Sequence, residues 1–165
     1  MPPTIRRAVP ADAAALAEVH VRAWHETYTG LVAPDVIATF DVDERRAMWN
    51  RALQQPASHL DGIELGTVVA EQDGPLVGFA SVGPSRGADT ARTLELWSIY
   101  ALAHVHGTGV GPALLNAVLG DAPAQVWLAA DNARATAFYA KHGFVEDGAR
   151  SLYDTWNMPE KRMVR

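Results

Sequence analysis

The sequence predicts one domain of the α+β or mixed α/β class, in which a central sheet carries helices on both faces. Three observations predict it. The chain has 165 residues, the size of one ordinary domain, and 48% of them are hydrophobic. β-rich runs alternate with amphipathic helical segments. No repeat, low-complexity tract or linker interrupts this alternation, so we expect residues 1–165 to form a single unit.

Local signals define each element. In chain order we predict a strand at 4–9, a helix at 10–28, short helices at 33–40 and 43–53, strands at 66–72, 76–83 and 91–102, a helix at 110–120, a strand at 124–130, a helix at 132–143, and late strands near 143–148, 151–156 and 160–165. Asp73-Gly74 is a hairpin signal, and Asn132 is a good N-cap. Gly30, Gly120 and Gly143 end their helices. Two helices carry apolar stripes, which consist of Leu16, Val19, Ala23 and Trp24 in the first and of Leu114, Leu115, Val118 and Leu119 in the second.

Composition excludes several classes of protein. There are no cysteines, which excludes disulfides, thiolate nucleophiles and cysteine-based metal sites. The formal net charge of −5 argues against a nucleic-acid partner, because nucleic-acid binders carry basic patches. No run approaches the roughly 20 apolar residues that span a bilayer. Residues 1–20 have no signal-peptide pattern. We therefore expect a cytoplasmic protein without a membrane partner.

A glycine-rich stretch, HGTGVGPALL at 106–115, lies between a predicted strand and a predicted helix. Such a junction presents free backbone N–H groups and the positive end of the helix dipole to an anion. Alternate glycines let the backbone approach a phosphate, and Pro112 suits the first helical turn. The stretch therefore indicates a phosphate or pyrophosphate cradle, and a tight turn without a ligand is the alternative. The P-loop and dinucleotide fingerprints both fail here, which disfavours an ATP or NAD module.

Two sequence blocks resemble the GNAT superfamily of N-acyltransferases. IYALAHVHGTGVGPALL resembles its acetyl-CoA signature, and LAADNARATAFYAKHGFVEDG resembles its downstream motif, with one helix and one strand between them. The ends of the chain resemble the family too, so the likeness covers essentially the whole sequence. Two residues depart from the pattern. His106 replaces the usual Arg or Gln, and Ala103 replaces a proline. A titrating His106 would make cofactor affinity fall as pH rises.

The resemblance implies a mixed, mostly antiparallel sheet of six to seven strands, split between the fourth and fifth strands, with acetyl-CoA as co-substrate. Backbone N–H groups at 99–101 would meet the acetyl carbonyl oxygen, and residues 107–111 would bind the pyrophosphate with His106 beside them. The implied cofactor contacts are Ile99, Tyr100, Ala101, His106, Gly107, Thr108, Gly109, Val110, Gly111, Pro112, Asn132 and Tyr139.

Two residues are the candidates for proton transfer. Tyr139 matches the family tyrosine that protonates the leaving sulfur, and a phenol with a pKa of about 10 is protonated at neutral pH. Core packing is the alternative role of Tyr139, and helix capping is that of Asn132. Glu95, on the central strand in register with Trp97 and Ile99, would take the proton of the amine through a water. Its alternative is a salt-bridged or sheet-edge residue.

The end of the first helix borders the acceptor pocket in this family. A cluster at this place suits an ammonium group by charge and cation–π contact, and core aromatics with solvated polar residues are the alternative. The predicted acceptor contacts are Trp24, His25, Glu26 and Tyr28, with His20 nearby. Residues 148–156 would form a loop and strand at the pocket mouth. We predict no metal, because His104 and His106 lack a third ligand at motif-like spacing.

The sequence thus predicts an N-acetyltransferase that moves an acetyl group from acetyl-CoA to a primary amine. Without cysteine, direct attack in a ternary complex is expected instead of a thiol intermediate. A small molecule such as a polyamine, amino acid or antibiotic is the expected acceptor. Acetylation of a protein N-terminus or lysine is one alternative, and a CoA-sensing binding protein without efficient catalysis is another. The family also raises a homodimer as the assembly.

Overall fold

The computed structural model describes residues 2–165 and contains a seven-stranded sheet in the order β1-β4-β5-β6-β7-β9-β8. The strands are β1 (Thr4–Arg7), β2 (His59–Leu60), β3 (Ile63–Glu64), β4 (Gly66–Glu71), β5 (Leu76–Pro84), β6 (Leu94–Ala101), β7 (Gln125–Ala129), β8 (Val145–Tyr153) and β9 (Met158–Val164). The helices are α1 (Ala13–Tyr28), α2 (Pro34–Ile37), α3 (Val42–Ala52), α4 (Val110–Leu119) and α5 (Ala133–Lys141). β6 and β7 pair in parallel, and every other neighbouring pair in this sheet is antiparallel. The predicted fold class is confirmed.

Helices cover both faces of this sheet, as the alternation along β5 shows. The Phe79 ring packs against His20 of α1, with a centroid distance of 5.0 Å, and against Trp49 of α3 at 5.1 Å. A Cβ added to the preceding residue, Gly78, would instead lie 3.2 Å from Leu114 Cδ1 of α4. Because successive residues of a strand point to opposite faces, α1 and α3 lie on one face and α4 on the other.

The long helix α1 is amphipathic, and the start of the chain anchors it. Its predicted stripe is buried, and each of these side chains is at most 7% exposed: Leu16, Val19, Ala23 and Trp24. The Arg6 guanidinium donates to both carboxylate oxygens of Asp12, at 2.8 and 2.9 Å, and to Glu71. These charge-assisted bonds connect β1, β4 and the turn that precedes α1.

β6 and β7 pair with each other over only two residues on each strand. Glu95 is opposite Gln125, and Leu96 is opposite Val126. The fully buried Gln125 side chain donates from Nε2 to Glu95 Oε2 at 2.8 Å and accepts from Ala91 N at 2.8 Å. Beyond these pairs the strands separate, so the predicted split between the fourth and fifth strands of the core pattern is present.

A bulge in β6 corrects the predicted register of its side chains. Ser81 is opposite Ser98, but Val82 is opposite Leu96, so Trp97 is the extra residue on β6. Glu95 is paired with Gly83 and Ile99 with Ala80, which lie on opposite faces of β5. Glu95 and Ile99 therefore do not share a face, although the sequence pattern placed them in register. The Trp97 ring lies over Gly83, where any Cβ would collide with it.

Two further details differ from the sequence-based prediction. The runs predicted at 143–148 and 151–156 form one strand, β8, which is irregular between Glu146 and Arg150 and is followed by a short 3-10 helix at Asp154–Trp156. The hairpin β2–β3 was not predicted, because two-residue strands carry no periodic pattern. The Asn132 cap is confirmed: Oδ1 accepts from Ala135 N at 3.0 Å.

His20 is a buried, neutral histidine on the inner face of α1. It is 8% exposed, and its Nδ1 accepts a hydrogen bond from Trp49 Nε1 at 3.3 Å. Burial, and next the positive charge of Arg45, lower the pKa of His20 from 6.5 to about 3. Protonation of this ring therefore favours the unfolded chain.

We expect the free energy of unfolding to fall as the pH drops from about 6.5 towards 3. In this window the unfolded chain binds a proton at His20 and the folded protein does not, at a cost of up to about 1.4 kcal/mol per pH unit. Urea unfolding of wild type and His20→Gln between pH 7 and pH 4 measures it. In His20→Gln the free energy of unfolding should depend less steeply on pH than in the wild type. The exposed control His59→Gln should keep the wild-type dependence. An unchanged slope in His20→Gln would contradict the assignment.

Candidate active site

The turn before α4 has the conformation of an anion cradle. Gly107 and Gly109 adopt φ values of 78° and 97°, and the space in which a Cβ would lie is open at both. The first intrahelical bond runs from Ala113 N to Gly109 O, at 3.1 Å, so the N–H groups of Val110 and Gly111 precede it. The donors and the open space fit a pyrophosphate, and its binding by residues 107–111 stays a prediction.

The third glycine of this stretch serves packing. A Cβ on Gly111 would lie 3.2 Å from Cε2 of Phe138, which belongs to α5. Gly111 therefore allows α4 and α5 to approach each other closely, next to Tyr139. Pro112 lies in the first turn of α4, where it has no intrahelical bond to lose. Thr108 Oγ1 donates to Val105 O at 2.7 Å and tightens the turn.

Backbone donors of β6 face the split in the sheet. Leu102 N donates to Val77 O of β5 at 2.9 Å. Because hydrogen-bonded and non-hydrogen-bonded pairs alternate along antiparallel strands, Tyr100 also bonds to β5, whereas the N–H groups of Ile99 and Ala101 point away from it. They point into the opening where β7 has separated. Of the three residues predicted to meet the acetyl carbonyl, Ile99 and Ala101 thus present free donors, and the N–H of Tyr100 does not.

His106 and Ala103, the two residues that depart from the family pattern, both form hydrogen bonds near the end of β6. The ring Nε2 of His106 donates to Ala101 O at 2.8 Å. The N–H of Ala103 donates to Glu26 Oε2 at 2.7 Å, which a proline at this position could not do. The two bonds fix the turn that connects β6 to the glycine loop. A direct phosphate contact from His106 stays a prediction.

The same bond directs one predicted acceptor contact, Glu26, to the turn after β6. Glu26 accepts from Ala103 N through Oε2 and from Arg22 Nε through Oε1, the latter at 3.0 Å. His25 is exposed. Neither residue lines the groove on the α1 face, which Trp24 and Tyr28 do line. The helical period explains the difference: Trp24 and Tyr28 are four residues apart on one face, and the two residues between them point elsewhere.

The groove on the α1 face has a volume of about 1530 Å³ and aromatic walls. Trp24 stacks on Phe40 with centroids 4.5 Å apart and meets Tyr28 at 4.1 Å and Trp156 at 3.9 Å. Trp156 lies in the segment predicted to form the pocket mouth, and Tyr153 of the same segment lies 4.7 Å from it. The segment therefore borders the groove, as predicted.

The hydroxyl groups of two tyrosines meet in the groove, and a third buried tyrosine, Tyr139, lies near them. The hydroxyls of Tyr28 and Tyr100 are 3.1 Å apart. Burial raises the pKa of Tyr139, and the nearby Tyr28 raises it further, so Tyr139 stays protonated at neutral pH. Burial likewise raises the pKa of Tyr100. Tyr139 is also part of the core, against Phe144 at 5.5 Å, so both its predicted roles are compatible with this position.

Glu95 is buried, and both of its carboxylate oxygens accept hydrogen bonds. It is 3% exposed, and its carboxylate accepts from the Arg86 side chain at 3.2 Å, from Arg86 N at 3.2 Å and from Gln125 Nε2 at 2.8 Å. The Arg86 guanidinium lies 4.8 Å from the centre of the Trp97 ring. The salt-bridged alternative for Glu95 is thus present in the structure, and a role as base stays a prediction.

Glu160 lines the same groove and was not singled out from the sequence. Burial raises its pKa, and the Glu95 carboxylate raises it further, against a smaller opposing effect of Arg86. No sequence motif marks Glu160, because its place in the groove depends on the pairing of β9 with β7. For Asn132, the structure shows the cap, and a contact with the CoA arm stays a prediction.

Residues 2–165 contain no group of three His, Cys, Asp or Glu side chains that could hold a metal ion. In the same part of the chain, no helix is long and apolar enough to cross a membrane.

The split sheet, the glycine turn and the adjacent groove define the class of an acyl-CoA-dependent transferase. The family description "Acetyltransferase (GNAT) family" matches residues 21–144. An uncharacterized N-acetyltransferase of Mycobacterium tuberculosis is 37% identical over 147 residues, which cover 86% of this chain and 88% of the relative. The chain belongs to the GNAT family of acetyltransferases, which confirms the predicted family and the predicted acyltransferase class.

Solved structures agree with this fold. PaiA N-acetyltransferase of Thermoplasma acidophilum, solved in complex with coenzyme A, superposes with a TM-score of 0.69 at 18% identity and 98% coverage of both chains. Ribosomal-protein-alanine N-acetyltransferase of Brucella melitensis superposes with a TM-score of 0.66 at 26% identity, again with 98% of both chains covered.

We expect Gly109→Ala to weaken acetyl-CoA binding. The substitution places a side chain in a conformation that disfavours it, at a cost of about 1–3 kcal/mol, and fills part of the cradle. Isothermal titration with acetyl-CoA measures the effect. The matched control is Gly62→Ala in the β2–β3 turn, which has φ +80° and open space but lies outside the cradle. Equal acetyl-CoA affinity in the two variants would mean that the glycine turn is not the anion site.

Proposed function

We propose that this protein transfers the acetyl group of acetyl-CoA to a primary amine of a small molecule, by direct attack in a ternary complex. The observation that carries the proposal is the position of the free Ile99 and Ala101 N–H groups. They lie between the glycine turn, which suits the cofactor pyrophosphate, and the groove, which suits the acceptor. An acetyl thioester in the split would place its carbonyl oxygen at donors that are already oriented.

The residues present would divide the work of the reaction as follows. Residues 107–111 would bind the pyrophosphate, and the N–H groups of Ile99 and Ala101 would polarise the acetyl carbonyl. Tyr139 would protonate the departing thiolate, because burial keeps its phenol protonated. The chain contains no cysteine, so a thiol acyl-enzyme intermediate is excluded, which supports direct attack with both substrates bound together.

The groove favours a cationic acceptor. Its walls combine aromatic faces, including Trp24, Tyr28 and Trp156, with the Glu160 carboxylate, and each of the four arginines that also line it is paired with a carboxylate. Aromatic faces and carboxylates both attract an ammonium group, and closely spaced aromatic walls favour a compact ligand. A polyamine, an amino acid or an aminoglycoside-like compound has this chemistry.

A protein amine is the second candidate acceptor. It is favoured by the 26% identity with the Brucella melitensis enzyme, whose name gives the alanine of a ribosomal protein as acceptor. The groove also exceeds the roughly 300–1,000 Å³ of a typical small-molecule site, so it has room for more than a small amine. A thiol-release screen with separate arms for small amines and for N-terminal peptides distinguishes the two acceptors.

We expect Tyr139→Phe to lower turnover and to leave acetyl-CoA affinity unchanged. The substitution removes the hydroxyl that would protonate the sulfur but keeps the ring in the core, and loss of such an acid costs roughly 10²–10⁴-fold in rate. Steady-state thiol release and calorimetry measure the two quantities. Phe144→Leu is the control for packing alone, since Phe144 contacts the same ring without a hydroxyl. Full activity of Tyr139→Phe would remove Tyr139 from the mechanism.

A further inference from the structure

We propose that Glu160 is the catalytic base, which accepts the proton of the acceptor's ammonium group in the groove. This inference rests on the proposed function and names a residue of the same site. It assigns to the last strand a role that the sequence pattern predicted for Glu95.

The sheet register places Glu160 on the groove side. Glu160 is directly opposite Ala129, the last residue of β7, so their side chains share a face. Ala129 and Met158, which is two residues before Glu160 on β9, pack in one cluster with Trp24 and Tyr28. The Glu160 side chain therefore lies on the α1 face, beside the end of β7 at which the sheet is open.

The Glu160 carboxylate has no cation of its own among residues 2–165. Lys161 points to the opposite face of β9, where its Nζ bonds Glu146 at 2.6 Å. Arg162 shares the face of Glu160, but it is paired with Asp147 at 2.7 Å and with Asp89 at 3.6 Å. Arg86, the cation that acts on Glu160, is bonded to Glu95. Glu95 already has its charge compensated, whereas Glu160 is available to a charged group that enters the groove.

The electrostatic environment of Glu160 also suits a base at this position in the groove. Burial and the neighbouring Glu95 charge raise the pKa of Glu160 towards the working range of a base at neutral pH. The Glu160 charge also contributes to the raised pKa of Tyr28, after burial, and both residues line the groove in which the acceptor amine would bind.

The proton balance of the reaction closes with these groups. Glu160 takes one proton from the ammonium, directly or through one water, and the neutral amine nitrogen attacks the thioester carbon. The C–N bond forms and the C–S bond breaks, and Tyr139 gives its proton to the sulfur. The second proton of the amine restores Tyr139. Glu160 then releases its proton to solvent, so one proton leaves for each amide formed.

The decisive variant is Glu160→Gln, which is nearly isosteric and removes only the base. We expect kcat/KM with acetyl-CoA and the best amine of the screen to fall about 10²-fold or more at pH 7. The loss should shrink as the pH rises towards the pKa of the amine, because free amine in solution no longer needs the base. Unchanged acetyl-CoA affinity by calorimetry shows that the variant is folded. Glu160→Asp keeps a carboxylate and should retain the pH dependence of the wild type.

The matched control is Glu18→Gln, which removes an exposed carboxylate of α1 outside the groove and should leave the rate unchanged. Glu160→Gln with the wild-type rate and pH profile would overturn the assignment of the base and leave the proposed function standing. Wild-type protein that binds acetyl-CoA but releases no thiol with any amine would instead overturn the proposed function, and the base with it.

Discussion

The separation of β6 from β7 after two paired residues is the constraint on which the site depends. A continuous sheet would bond every backbone group of β6 to a neighbour. Because the parallel pairing ends at Leu96, the donors of Ile99 and Ala101 have no strand partner and are free for a ligand. The same opening allows a cofactor at the glycine turn and an acceptor on the α1 face to reach one point from two sides.

Because β6 and β7 separate along most of their length, the short stretch over which they pair must be held firmly. The buried pair of Glu95 and Gln125, together with the exposed Arg86, does this, since the amide of Gln125 connects the Glu95 carboxylate to the backbone at Ala91. A buried carboxylate is costly unless it is fully hydrogen-bonded, and here each carboxylate oxygen has partners. Breaking these bonds to move a proton would weaken the hinge of the split. Because Glu95 must keep these hydrogen bonds to hold the strands together, it is poorly suited to repeated protonation. A carboxylate without such bonds is better suited to act as the base.

Local patterns predicted much of this protein, and long-range pairing determined the rest. The glycine turn and the helix caps were predictable because conformation and capping depend on a few neighbouring residues. Of the four predicted acceptor contacts, Trp24 and Tyr28 line the groove and His25 and Glu26 do not, because residues adjacent in sequence are spread around a helix by its period. The bulge at Trp97 reverses the face of Ile99 through the pairing with β5, which one sequence does not reveal. Glu160 was missed for the same reason.

One physical effect can prepare both an acid and a base in this site. Burial disfavours the charged form of every acidic group, so it raises the pKa of Tyr139 and of Glu160 alike. For the phenol the change keeps the proton in place until a thiolate forms beside it. For the carboxylate it brings an otherwise weak base closer to neutral pH, and the Glu95 charge adds to the change. A buried cation paired with Glu160 would cancel this effect, and neither basic neighbour on β9 pairs with it: Lys161 points to the opposite face, and Arg162 is bonded to Asp147 and Asp89.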